Sequence, residues 1–568
     1  MSKNAMLDFK PEDIVGRECR HVTYCPPKDN GRGDLHVIKE ILHLKDGRIV
    51  PNLRKVSNYQ RPFWITKKGY QNHKDKKESE EISRLQEFRC TQTDLTRRIA
   101  MALDNPGMQG GMRRICRSPY VYGADITAAA LIKQGYIDKW PDINTPFSVC
   151  YADTETDVVI GHEEILMATV SWKDKAYTVI QADFVKGFSN VIPRLHAMAE
   201  KLMGDVIRER NLKWEFVIAN SEAEVVIKTF EKAHEWGPDF LAIWNIDFDI
   251  PRMIKALEKV GIDPAQVLCD PSIPPEFRFF KYKQGPSQKV TASGKATPIK
   301  PADRWHTLYA PAKFYVIDGM CAYKKVRTGQ PEQSSYGLDA ILTAEEVGIN
   351  KLDIEEAKHV DGLAWHRLMQ TKFQLEYIIY NGGDCICGEK LDEKINDLSI
   401  ALPMMTGCSE FDNVKSQPRR TVDMLHTFMQ KYGHVIGTTS DEMNDELDEL
   451  TVDLKGWIVM LPAHQVADNG IQIIEEIPHL RSNIRRDVGD LDVSASYPNG
   501  GEVFNISKHT TSKEIIDIEG VSEYQRRMQG VNLSGGHTNA VEICTNVLGL
   551  PALPDLLHKF KQDKGLFN

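Results

Sequence analysis

Phe147-Ser148-Val149-Cys150-Tyr151-Ala152-Asp153-Thr154-Glu155 is the stretch on which the architecture of this chain turns. Phe147, Val149 and Tyr151 alternate with a period of two, the pattern of a strand. Residues i and i+2 of a strand share a face, so Asp153 and Glu155 are predicted to project together. Working outward, residues 165–172 and 177–184 read as two more strands, and the short turns between them predict an antiparallel meander. Helical periodicity follows from about 190 to 211, then an apolar strand over 214–219. Ser221 with Glu224 forms a capping box that opens the next helix. Residues 240–244 are a further short strand, and Pro251 sits where a helix is predicted to begin. A three-stranded meander followed by alternating helices and strands predicts an α/β domain with a mixed sheet, within a chain that is α/β and α+β multidomain overall.

Three more acidic motifs follow in fixed order: Asn245-Ile246-Asp247-Phe248-Asp249, Tyr380-Asn381-Gly382-Gly383-Asp384, and Asp492-Val493-Ser494-Ala495-Ser496-Tyr497-Pro498. Asp249 follows the 240–244 strand, at the strand end where open α/β sheets bind ligands. Tyr380 and Asp384 share a face if their segment is helical. Several carboxylates converging on one point suit a pair of hard divalent ions, which want oxygen ligands. Such a pair, about 4 Å apart, is suited to cutting a phosphodiester. Each motif alone is common in so acidic a chain; the ordered set, each member on a fitting element, is not.

This series resembles the 3′→5′ proofreading exonuclease of family B DNA polymerases, the DEDDy type on a ribonuclease H-like fold. The resemblance implies that Asp153, Glu155, Asp249 and Asp384 bind two Mg2+ or Mn2+ ions, that Tyr380 orients the attacking water, and that Asn245 and Phe248 contact the frayed primer end. Ile317-Asp318-Gly319 also resembles a segment preceding the third motif in phage members. Two departures stand out: Asn245 and Phe248 are separated by two residues, one fewer than in close phage relatives, and Gly382 and Gly383 interrupt a helix at about 1 kcal/mol each.

Asp492 to Pro498 resembles motif A of the same family, with Ala495 and Ser496 replacing the usual Ser and Leu. The resemblance makes Asp492 a ligand of both polymerase metals and sets Tyr497 beneath the sugar of the incoming nucleotide. Residues 455–462 resemble the strand leading into the palm, and 503–507 continue the match to T-even-like phage polymerases. No D-T-D motif C and no motif B helix follow Asp492. The expectation is the N-terminal subunit of a split replicative polymerase, completed by a second chain carrying fingers, the remaining palm and thumb. Its implied partners are primer–template and single-stranded DNA, a deoxynucleotide bound jointly with the second chain, and a sliding clamp reached through that chain. The alternatives are a stand-alone exonuclease and a non-catalytic replication scaffold. The resemblance divides the chain into an N-terminal domain (1–145), the exonuclease (146–400), a segment returning to the N-terminal domain (401–452), a partial palm (453–555) and the start of the fingers (556–568).

The bulk composition is compatible with all of this. At 568 residues with 41% hydrophobic and 27% charged side chains, three or four domains can each bury a core. The net charge of −9 argues against indiscriminate coating of nucleic acid, but a carboxylate-rich site adds negative charge while a groove needs only local cations. Lys67, Lys68, Lys74, Lys76, Lys77, Arg97, Arg98, Arg113, Arg114 and Arg117 read either as a phosphate-facing surface or as solvated faces. Residues 271–313, with Lys281, Lys283, Lys289, Lys295 and Lys300 around Phe279, Phe280 and Tyr282, read either as a DNA-contacting hairpin or as an insertion. The acidic run 441–449 reads as a linker or helix end. Eleven scattered cysteines lack zinc spacing and are expected to be reduced thiols. With no apolar leader and no stretch near 20 apolar residues, the expected location is the cytoplasm, by the phage resemblance that of an infected bacterial cell.

Overall fold

The computed structural model describes residues 9–27, 33–105, 111–161, 163–290, 296–349, 351–352, 354–438 and four short strands beyond residue 474. The chain forms two compact units, Met1–Ser440 and Asp441–Asn568.

The first unit is built on an eight-stranded mixed sheet: β1 (Val149–Thr156), β2 (Ile165–Trp172), β3 (Lys175–Gln181), β4 (Lys213–Ala219), β5 (Phe240–Ile243), β6 (Lys281–Lys283), β7 (Thr307–Tyr309) and β8 (Tyr315–Asp318). Their spatial order is β4-β3-β2-β1-β5-β8-β7-β6. β1, β2 and β3 form an antiparallel meander, while β5 pairs in parallel with both β1 and β8. β4 pairs in parallel with β3. Strand alternation sends successive side chains into two cores. Tyr177 and Val179 enter one with helix α2 (Glu222–Trp236) and helix α3 (Ile246–Lys259), whereas Ala176 and Ile180 enter the other with helix α1 (Val191–Arg210). Helix α4 (Gly319–Val326) follows β8, and helices α5 (Gly362–Lys372) and α6 (Gln374–Ile395) follow later in the chain. α6 packs across β1 and β2.

Two local expectations change. The third strand ends at Gln181, not Phe184, because a short helix, Ala182–Val185, takes over and buries Phe184 and Val185. α3 begins at Ile246, so Pro251 lies inside it rather than at its start. The prolyl nitrogen cannot donate to the carbonyl four residues back, a loss the helix tolerates while its inner face buries Ile250, Met253 and Leu257. Half of the expected capping box forms: Ser221 Oγ accepts from Glu224 N at 3.2 Å, but the Glu224 carboxylate accepts from Asn220 N at 2.7 Å rather than from Ser221 N.

Before this sheet, strands Ile14–Cys25, Leu35–Leu44 and Ile49–Ser57 form an antiparallel sheet, and Arg61–Thr66 lies between Leu85–Cys90 and Val121–Tyr122 in another. The strand His434–Ile436 pairs with Ser79–Glu81. Buried Lys39 donates to the Gly237 carbonyl at 2.6 Å and Arg20 reaches Asp239 at 3.4 Å, tying this region to the edge of β5. Several of the basic residues here are already bonded within the fold: Lys67 donates to the Ser83 carbonyl, Lys76 to the Cys116 carbonyl and Thr438, and Lys77 pairs with Glu80. Within 271–313, β6 joins the sheet edge and Tyr282 donates to Asp247, while Gln288–Val290 and Ala296–Pro298 form a separate hairpin. Among the described residues no cysteine forms a disulfide, and Cys385 and Cys387 are buried in α6. Among the described residues no helix is long and apolar enough to cross a membrane.

The second unit contains two described hairpins, Glu475–Ile477 with Ser482–Ile484 and Gly530–Leu533 with Gly536–Asn539. Asp492, Tyr497 and the segments 441–449, 455–462, 503–507 and 556–568 lie outside the described residues.

Candidate metal centre

Alternation along β1 decides where its end points. Asp153 stands opposite Thr169 and Glu155 opposite Met167 on the face that α6 covers. Thr154, on the other face, donates both its amide (3.1 Å) and its hydroxyl to Asp249 Oδ1. α6 brings Tyr377, Tyr380, Asn381 and Asp384 to the sheet at helical spacing. The approach is close: a Cβ on Gly382 would lie 2.0 Å from the Trp214 ring, and one on Gly388 would lie 2.4 Å from the Tyr151 ring. The glycines that weaken the helix in isolation are what let it lie flat on the sheet.

One carboxylate oxygen each from Asp153, Glu155 and Asp384 lies within 4.8 Å of the others. Asp249 lines the same cleft of about 320 Å³, together with Asn245, Phe248, Lys351, His366 and Tyr380, but its Oδ1 is held by Thr154. Thus three of the four expected ligands form a tight cluster, and the fourth stands beside it. Asn245 precedes α3, and Phe248 is 38% exposed with the Arg252 guanidinium 3.9 Å above its ring.

The cluster is electrostatically strained. Burial, then the charges of Asp249, Glu155 and Asp384, push the Asp153 carboxyl well above the usual range. Burial raises Glu155 to about 8, opposed by the Tyr377 hydroxyl that donates to it. Burial raises Asp249 to about 7 against the Thr154 bonds. Asp384 is raised by burial and partly relieved by Lys351, whose Nζ lies 2.5 Å from Oδ2 and 3.0 Å from the Tyr380 hydroxyl. Burial works against the Lys351 charge, but Asp384 and Tyr380 outweigh it and hold the ammonium protonated. Like charges packed this way call for a cation beyond one lysine. The donor set fits a hard divalent ion: all oxygen, three convergent carboxylates, and a buried Asp384 Oδ1 without a hydrogen-bond partner.

Sequence reasoning missed the residues that hold the carboxylates. Tyr377 and Asn381, which donates to Asp153 at 2.8 Å, were visible in principle as the residues three before Tyr380 and three before Asp384 on the motif's own helix. Thr169 fixes Asn381 by donating to its Oδ1 at 2.6 Å. Lys351 comes from a loop, where no periodicity marks it. No family model matches the chain, and no curated protein is similar to it.

Proposed function

We propose that this chain is a metal-dependent 3′→5′ DNA exonuclease of the DEDDy type, the proofreading part of a family B DNA polymerase. The observation that carries the reading is the convergence of Asp153, Glu155 and Asp384 within 4.8 Å, in one cleft with Asp249 and Tyr380. The meander continued by parallel α/β units supports a ribonuclease H-like fold for this part. A pair of Mg2+ or Mn2+ ions, when bound, would activate water and stabilise the leaving oxygen. Asp153, Glu155 and Asp384 would hold them, with Asp249 alongside. Tyr380, whose hydroxyl is kept protonated by burial and by Asp384, would orient the attacking water. Tyr377 stacks parallel to it, ring centres 6.0 Å apart, and limits its motion. Asn245 and half-exposed Phe248 would grip the terminal nucleotide, and the Lys351 ammonium would meet the phosphodiester.

Asp153→Ala together with Glu155→Ala is expected to abolish degradation of single-stranded DNA in Mg2+ while DNA binding persists. Undiminished digestion by that double variant would remove the nuclease reading. The polymerase half of the proposal rests on the sequence of Asp492 to Pro498 alone. There Asp492 would bind polymerase metals and Tyr497 would support the nucleotide sugar, with fingers and the second palm carboxylate supplied from outside residues 1–568. In a complex with a chain carrying those parts, Asp492→Ala should stop primer extension and spare the nuclease; normal extension sinks the palm assignment.

A further inference from the structure

Tyr336, Gly337 and Leu338 are consecutive, yet they serve two hollows: Gly337 and Leu338 line the carboxylate cleft, and Tyr336 lines a second concavity of about 380 Å³. Trp244, a wall of the cleft, donates its indole N–H to the Tyr336 carbonyl at 3.1 Å, so one hydrogen-bonded partition divides the hollows. The second hollow is rich in cations. Lys324 is matched by Asp303 and Glu332 at 2.7 and 3.1 Å, and Arg327 by Glu345 and Asp397.

Two further cations of this hollow, Lys325 and Lys415, have no carboxylate partner among the described residues, and neither has Arg420 nearby. Lys415 donates to the Asp303 carbonyl at 2.6 Å, and Arg420, on the helix Gln417–Lys431, donates to the Met405 carbonyl at 2.7 Å. Lys325, half-buried on α4, lines the hollow with Lys415; burial and then the charges of Arg420 and Lys415 lower its pKa. Gathering unneutralised charge of one sign in a partly dry hollow is unfavourable unless an anion completes it. The two lysines reach the hollow from separate stretches of chain.

We propose that this hollow is a phosphate subsite in which Lys325 and Lys415, with the Arg420 charge nearby, hold the backbone of the same single strand whose 3′ end enters the carboxylate cleft. The inference rests on reading that cleft as a nuclease of single strands, and it adds a route for the strand across the Tyr336 partition. Such contacts set affinity and salt dependence without reading bases.

The test uses the full chain and its Lys325→Gln, Lys415→Gln, Arg420→Gln triple variant. Both are titrated in EDTA, where no strand is cut, with a labelled oligothymidylate of about 12 nucleotides over a range of salt. The triple variant is expected to bind about tenfold more weakly at low salt. Its log–log salt slope should be shallower by about 1.4, from roughly 0.7 for each of two phosphates no longer held. In Mg2+, KM for the long strand should rise with kcat unchanged. Equal affinities and equal salt slopes overturn the subsite. Lys325→Gln alone, a substitution at a half-exposed position, decides the same question should the triple variant fold poorly; its slope should fall by about 0.7. Inorganic phosphate that binds the wild type but not the variant, with strand affinity unaltered, would mean a free-phosphate site and also overturns the proposal. A wild type that cuts no DNA but binds strands in a variant-sensitive way removes the nuclease reading and supports the subsite.

Discussion

At Glu155 two influences oppose each other: burial raises its pKa to about 8, and the Tyr377 hydroxyl, donating to the carboxylate, pulls it down. A hydrogen bond to a charged group contributes about 1.5–3 kcal/mol, and one pKa unit corresponds to about 1.4 kcal/mol. Tyr377→Phe removes the donor that favours the charged form, so the Glu155 pKa rises further. The acid limb of the kcat/KM profile for single-strand cleavage is expected to move up by about one unit, with activity recovered at high pH. An unmoved acid limb would show that Glu155 does not set it. The three carboxylates that converge were legible because each stands in an acidic motif of its segment. Their supports were less so: Tyr377 and Asn381 share the motif's helix face, but Thr154 and Lys351 act from positions whose meaning depends on the fold.

At the scale of one element, α6 shows how packing overrules intrinsic propensity. Gly382 and Gly383 read in the sequence as weaknesses of about 1 kcal/mol each relative to alanine. In the structure a methyl group at Gly382 meets the Trp214 ring at 2.0 Å, and that ring is held by its N–H bond to Thr178 at 2.9 Å. Overpacking a fixed core costs about 1–3 kcal/mol, which exceeds the propensity gain. Gly382→Ala is therefore expected to destabilise by about 1–2 kcal/mol and, by lifting Asp384 from the sheet, to depress cleavage. Gly135, exposed within the helix Ala128–Lys139, has nothing within 4 Å of its would-be methyl group, so Gly135→Ala should stabilise by up to about 1 kcal/mol. Denaturant titration of the two variants checks the opposite signs. The strands were legible because alternation is local, and β1, β2 and β5 lie within a residue or two of their expected bounds. The pairing of β5 between β1 and β8 was not, since it joins residues 75 or more apart through contacts that no short window records. The end of β3 at Gln181 likewise depends on Phe184 finding a core.

For the whole molecule, the carboxylate cluster links stability to both pH and metal. Glu155 rises from 4.5 to about 8 and Asp249 from 3.8 to about 7 on folding. Between about pH 4 and 8 these two folded carboxyls therefore hold protons that the unfolded chain has released, so in chelator their contribution to stability falls as pH rises through that window. Glu389 and Glu410, raised to about 7 by burial, contribute the same sign, and histidines that burial holds neutral, such as His21 and His426, the opposite one, so the total slope does not isolate the cluster. A divalent ion does isolate it, because the ion binds the deprotonated carboxylates and competes with their protons. Its stabilisation grows with pH and reaches about 2.7 kcal/mol at a hundredfold excess over Kd. About 10 mM Mg2+ should raise the unfolding midpoint more at pH 8 than at pH 6. The Asp153→Ala, Glu155→Ala variant should lose the Mg2+ increment at both pH values. An increment of the same size in that variant would mean that the ion stabilises the chain elsewhere, and the three convergent carboxylates would no longer stand as a metal centre.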